Sequence, residues 1–138
     1  MLIDTNILVY AINSDSAKHE TAKKFIEENL GNLVIAHQNI LEGIRVLTHK
    51  KFSNPVSTIE AIKAISGISN PFRIITPNRT TINLCMEYVQ KLNISGNRIF
   101  DAYLAATALS NDIKVIATDN TKDFKVFKGI ELINPFTS

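Results

Sequence analysis

The chain alternates short apolar runs with longer segments in which apolar residues recur at helical spacing. Met1-Leu2-Ile3 opens as a strand and runs on into Ile7-Leu8-Val9-Tyr10, with the polar trio Asp4-Thr5-Asn6 lodged between them. Over residues 17–30, Ala22, Phe25, Ile26 and Leu30 mark one face of a helix, and Gly31 is a natural stop. Leu33-Val34-Ile35-Ala36 predicts a short buried strand, and Ile40, Leu41, Ile44 and Leu47 predict a helical stripe after it. Ser57-Thr58-Ile59-Glu60 has the spacing of a capping box and opens a helix carrying Ile59, Ile62 and Ile65. Residues 72–76 read as a strand closed by Pro77, and Ile82, Cys85, Met86, Val89 and Leu92 form a further stripe. Gly96-Asn97 precedes an apolar helix over 98–109; residues 114–118 are the clearest strand, and 130–133 form a last short one.

Strands alternating with helices imply parallel strands joined by crossover helices. The strand runs are apolar throughout, as strands buried on both faces require. The expected fold is a three-layer α/β/α sandwich with a central, mainly parallel sheet. In such sheets the functional groups gather beyond the carboxyl ends of the strands. With 138 residues and no internal repeat or linker, the pattern predicts one domain over 1–138.

Composition narrows the class. Hydrophobic residues at 45% and charged residues at 20% argue against intrinsic disorder. A single cysteine, Cys85, excludes an internal disulfide framework and a zinc cluster built on cysteines. No apolar run approaches the roughly 18 to 20 residues of a membrane span. The start lacks a basic region ahead of an apolar stretch, so no signal peptide is expected. These features predict a cytoplasmic protein with no membrane partner.

Several carboxylates sit where a purely structural chain would not need them. Asp4 interrupts an apolar run at the end of the first strand, where an unpaired charge is costly. It either caps the next helix, with Thr5 and Asn6 completing a turn, or serves a site. Asp101 shares a helix face with Leu104, Ala105 and Ala108 and so faces the sheet; Arg98 lies three residues before it, as a first-turn ion pair would have it. Asp119 follows the strand over 114–118, in the turn-forming run Thr118-Asp119-Asn120-Thr121-Lys122-Asp123. Acids at three separate element ends, held in one cleft, would raise one another's pKa, and Mg²⁺ or Mn²⁺ resolves that conflict with oxygen ligands. Glu42 is different: periodicity places it opposite the Ile40–Leu41–Ile44–Leu47 stripe, on a solvated face with Gln38, Arg45 and His49.

The overall charge is only +2, from fifteen basic and thirteen acidic residues. If Asp4, Glu42, Asp101, Asp119 and Asp123 share one site, thirteen less those five leaves eight acids to balance fifteen bases elsewhere. An acidic pocket in a basic surround suits a metal-dependent enzyme acting on a polyanion.

Taken together, these segments resemble the PIN-domain nucleases, and within them the VapC-type toxin ribonucleases of type II toxin–antitoxin pairs. The resemblance covers essentially the whole chain. It rests on Leu2-Ile3-Asp4-Thr5-Asn6-Ile7-Leu8, on Glu42 within Asn39-Ile40-Leu41-Glu42-Gly43-Ile44, on Phe100-Asp101-Ala102-Tyr103-Leu104-Ala105-Ala106, on the run from Val115 to Phe124, and on the ending Ile133-Asn134-Pro135-Phe136. It implies a Mg²⁺-dependent endoribonuclease, with Mn²⁺ as a substitute, usually a homodimer and held inactive by an antitoxin. Asp4, Glu42, Asp101 and Asp119 would be the catalytic acids, with Asp4 and Asp101 as principal metal ligands. Many members carry the closing acid two residues after the threonine, where this chain has Asn120, so Asp119, Asn120 or Asp123 completes the site. Thr5, Asn6 and Thr118 would orient ligands or water, and Arg45, Arg98, Lys122 and Lys125 would contact the RNA backbone.

Rival readings have less behind them. His19, His37 and His49 lack metal-binding spacing, and Cys85 sits on an apolar stripe as a buried thiol would. There is no glycine-rich phosphate loop and no nucleophile elbow. A phosphoacceptor would want a second acid where Asn6 stands. A PIN-like module that binds RNA or protein without cutting is the alternative that Asn120 keeps open.

Overall fold

The computed structural model describes residues 1–137. Strands β1 (Leu2–Ile3), β2 (Val34–Ala36), β3 (Arg73–Ile75), β4 (Val115–Ala117) and β5 (Glu131–Ile133) pair in parallel throughout, in the order β3-β2-β1-β4-β5. The connections are helical: α1 (Thr5–Ile12), α2 (His19–Glu28), α3 (His37–Thr48), α4 (Thr58–Ser69), α5 (Thr81–Leu92), α6 (Arg98–Ser110) and α7 (Thr121–Phe124).

Alternation along each strand sorts the core into layers. Leu2, Val34, Ala36, Ile75 and Ile116 pack with Cys85, Leu104, Ala105 and Phe124 of α5, α6 and α7. Ile3, Ile35 and Ala117 pack in a separate cluster with Ile7, Leu8, Ala22 and Ile26 of α1 and α2. A further cluster of Val9, Leu47, Ala61 and Ile65 binds α1, α3 and α4 together. Each fully buried Leu, Ile or Phe contributes about 1.5–3 kcal/mol. The result is the three-layer α/β/α sandwich expected from the alternating pattern. No helix among the described residues is long and apolar enough to cross a membrane.

The strand order positions the site. The chain moves outward from β1 to β2 and β3, then returns to place β4 on the opposite side of β1. Such a reversal leaves a crevice beyond the carboxyl ends of the two central strands. Ile3 is in register with Ala117, and the Asp4 amide donates to the Ala117 carbonyl at 2.9 Å. Asp4 and Thr118, the residues that follow these strands, therefore meet in the crevice.

Some details differ from the sequence pattern. Thr5 and Asn6 are the first residues of α1, not a turn before it. α2 ends at Glu28, and Gly31 lies within a 3₁₀ turn over Leu30–Asn32 instead of stopping the helix. Ile59, Ile62, Ile82, Met86 and Leu92 are exposed. α4 buries Ala61, Ile65 and Ser69 instead, and α5 buries Thr81 and Cys85. Ile65 is the one isoleucine of the expected α4 stripe that is buried, while Ile59 and Ile62 are turned outward. The Ser57 cap is present: its hydroxyl accepts from the Glu60 amide at 3.2 Å and donates to the Glu60 carboxylate at 3.0 Å.

Candidate functional site

Asp4 serves as helix cap and as crevice carboxylate at once. Its Oδ1 accepts from the Thr5 amide at 2.8 Å, and its Oδ2 accepts from the Thr118 hydroxyl at 2.8 Å. The residue is only 7% exposed. Burial pushes its pKa up to about 6 against those two hydrogen bonds, and the charges of Glu42 and Asp101 push in the same direction. A cap alone would need neither this depth nor two acidic neighbours.

Glu42 stands beside Asp4 because the buried line of α3 differs from the one its apolar residues suggest. Asn39, Gly43 and Leu47 form that line, while Leu41 is 67% exposed. Periodicity misplaced the face because two of its three inward residues are not apolar. Glu42 consequently flanks the packed face and takes hydrogen bonds from Gln38 at 2.9 Å and Thr5 at 3.3 Å. Gly43 makes the approach possible: a Cβ there would sit 2.6 Å from Ile65 Cδ1 of α4.

Asn39 is a residue that sequence reasoning passed over. It is 0% exposed, its Oδ1 accepts from the Ala36 amide at 2.9 Å, and its Nδ2 donates to Thr5 Oγ1 at 3.3 Å. The backbone donor fixes the amide's orientation, so the Thr5 oxygen accepts a hydrogen bond from Asn39 and its own O–H is directed to Glu42. A polar residue in line with Gly43 and Leu47 was the available signal.

Asp101 enters from the first turn of α6, following Gly96, whose φ of 63° sets the chain up for the helix. Ala102, Leu104, Ala105 and Ala108 are buried, while Asp101 is half-buried. Burial pushes its pKa up to about 6, Asp123 and Glu42 add to the rise, and Arg98 opposes it. Arg98 does not pair with Asp101 as its spacing suggests. It donates from Nη2 to the Asp123 carbonyl at 2.7 Å, and its Nε lies 3.7 Å from Asp123 Oδ1. Asn120 donates to the other Asp123 oxygen at 3.0 Å, and its amide donates to Thr118 Oγ1 at 2.9 Å. Of Asp119 and Asp123, it is Asp123 whose charge reaches Asp101.

Asp119 is engaged elsewhere. Its Oδ2 accepts from the Tyr10 hydroxyl at 2.7 Å and from Lys18 Nζ at 2.8 Å. Burial would raise its pKa, but Lys18 and Tyr10, with Asn6 nearby, bring it below the ordinary carboxylate value. Lys18 also lies 5.0 Å from the Tyr10 ring centre and 5.1 Å from that of Phe136. These contacts fasten the start of α2 and the end of the chain to β4.

Of the basic residues expected near RNA, Arg45, Lys122 and Lys125 are exposed, whereas Arg98 is half-buried and held by α7. His37 is exposed at the start of α3. Among the described residues, no three His, Cys, Asp or Glu side chains are gathered closely enough to hold an ion as they stand. The donor set is nonetheless that of a hard divalent cation: oxygen atoms only, with the pKa values of Asp4 and Asp101 both raised by burial and by neighbouring acids. These residues fit such an ion in kind.

Comparison with known proteins agrees with this architecture. Over 143 residues the chain is 27% identical to Ribonuclease VapC24 of Mycobacterium tuberculosis, covering 99% of this chain and 97% of that one. Ribonuclease VapC43 of the same organism is 27% identical over 141 residues, with 98% and 95% covered. The solved structure of VapBC-1 from nontypeable Haemophilus influenzae shares the fold, with a TM-score of 0.73 at 20% identity, covering 99% of this chain and 98% of that one. A family model described as PIN domain matches residues 1–129, and the chain belongs to the PIN domain family.

Proposed function

We propose that this chain is a metal-dependent endoribonuclease that cleaves RNA phosphodiester bonds, and that it is the toxin of a toxin–antitoxin pair. The observation that carries the reading is the convergence of Asp4, Glu42 and Asp101, from three separate elements, into a group whose charges raise the pKa of Asp4. Whole-length similarity to proteins named ribonucleases supports the reaction class. A solved structure of the same fold is titled as a toxin–antitoxin complex, which supports an antitoxin as partner.

Asp4 and Asp101 would hold the ion, Mg²⁺ or Mn²⁺, with Asn120 and Asp123 closing the pocket. When bound, the ion neutralises phosphate charge and promotes attack by water. Glu42, held by Gln38 and Thr5, is placed to accept a proton from the attacking water. Thr118 fixes the orientation of Asp4. Arg45, Lys122 and Lys125 supply exposed positive charge for the RNA backbone.

The test is cleavage of structured and unstructured RNA by the purified chain in Mg²⁺ or Mn²⁺, beside an EDTA control and Asp101→Asn. Metal-dependent cutting abolished by the substitution supports the reading. Folded protein that binds the metal and cuts none of a diverse RNA set sinks it in favour of a module that binds without cutting.

A further inference from the structure

Beside the acids lies a cleft of about 780 Å³ whose apolar walls the chemistry above does not use. α3 gives it Leu41, Glu42 and Arg45; α6 gives it Phe100, Asp101 and Tyr103. Each helix therefore presents an acid directly after a large apolar residue. Leu41 is 67% exposed and Phe100 57% exposed, so neither is spent on the core. Leu41 and Phe100 line one cleft together with charged side chains, and an exposed apolar patch rimmed by polar residues marks a binding groove. The volume falls within the roughly 300–1,000 Å³ of clefts that take small ligands.

We propose that this cleft seats an unpaired nucleobase of the RNA against Phe100 and Leu41, with Arg45 meeting a neighbouring phosphate. The proposal rests on the ribonuclease reading, which puts the phosphate to be cut beside Glu42 and Asp101. Because the cleft shares both acids, a base attached next to that phosphate reaches its apolar walls. Unpaired bases are recognised by stacking on Phe and Tyr, and a flat aromatic face accepts any base. The occupant is thus a segment of single-stranded RNA and not a duplex, whose stacked bases could not enter. The arrangement also gives Phe100 a reason to be exposed.

The test uses the full chain in Ca²⁺, a hard cation that neutralises the acids. Three hexanucleotides serve as probes: oligoadenylate, the same RNA containing 2-aminopurine, and a ribose-phosphate hexamer without bases. Wild type should bind the RNA with bases about ten to a hundred times more tightly than the abasic hexamer, the scale of one stacked base. Its binding should quench 2-aminopurine fluorescence. Phe100→Ala should lose the quenching and most of the preference, Leu41→Ala should lose part of it, and Phe100→Tyr should retain both. Phe100 and Leu41 are exposed, so these variants should fold.

Equal quenching and equal preference in wild type and Phe100→Ala would overturn the proposal, as would wild type showing no preference for bases or no RNA binding. Cleavage in Mg²⁺ separates this from the wider reading. Cutting by Phe100→Ala at the wild-type rate removes the cleft and leaves the ribonuclease. Phe100-dependent base binding without any metal-dependent cutting leaves the base site and removes the ribonuclease.

Discussion

The Thr5 hydroxyl donates to Glu42 across 3.3 Å, and it does so because its oxygen already accepts an N–H hydrogen bond from Asn39 on the other side. The direction of that hydrogen bond is therefore set by a residue that touches no acid. Thr5→Val removes the donor, while Thr5→Ser keeps it. We expect Thr5→Val to cut RNA cleavage by about tenfold, the size of one lost charge-assisted hydrogen bond. Thr5→Ser should lie within about threefold of wild type, by the same reckoning. Asn39→Leu, which also strands the Ala36 amide, should lower stability by about 1–3 kcal/mol. Cleavage kinetics and thermal melts read these effects separately.

Asp4 supports a prediction on pH. Its folded pKa of about 6 exceeds the ordinary aspartate value of 3.8, so the folded protein binds the proton more tightly than the unfolded chain. Between those values stability falls as pH rises, and at neutral pH the metal-free protein bears the whole cost. Asp4→Asn should therefore stabilise the metal-free protein at pH 7 by on the order of 1–3 kcal/mol, with little effect at pH 3. It should also abolish cleavage. Denaturant titrations at the two pH values check the sign.

Gly43 should be the least replaceable glycine. An added Cβ would lie 2.6 Å from the buried Ile65 Cδ1. Gly43→Ala is expected to cost about 1–3 kcal/mol through overpacking. Ile65→Val removes the clashing methyl, so the double variant should recover part of that loss. A double-mutant cycle by chemical denaturation shows whether the two positions couple.

Asp119 and Asp123 should separate cleanly. Asp119 is bound to Tyr10 and Lys18, so Asp119→Asn should retain cleavage within severalfold while lowering stability. Its depressed pKa stabilises the fold above about pH 4, and that contribution disappears as pH falls through the folded value. Asp123→Asn should cost cleavage by tenfold or more, roughly what loss of one supporting carboxylate near a metal entails. Parallel cleavage assays and melts of the two variants distinguish the roles.

Much of the architecture is legible in the sequence because buried parallel strands are plain apolar runs. The strands containing Val34–Ala36 and Val115–Ala117 were expected within a residue or so at each end. Asp4 and Asp101 stand out for the same reason: charge is conspicuous against an apolar background. Glu42 does not, since the packed face of α3 is built from Asn39 and Gly43, which no hydrophobic count detects. The exposed isoleucines of α4 and α5 mislead in the opposite sense. Choosing between Asp119 and Asp123 needs the positions of Lys18 and Tyr10, which are about a hundred residues away along the chain. Local periodicity carries no trace of them.

The pairing of β1 with β4 has a consequence for the chain during its synthesis. Asp4 is made 114 positions before its partner Thr118. Until β4 is made, β1 lacks one of its two neighbours and Asp4 lacks the hydroxyl that orients it. A nascent chain can form α1 through α5 without possessing a finished acidic crevice. Completion of the site is thereby delayed until the last strands are in place, a timing imposed by topology alone.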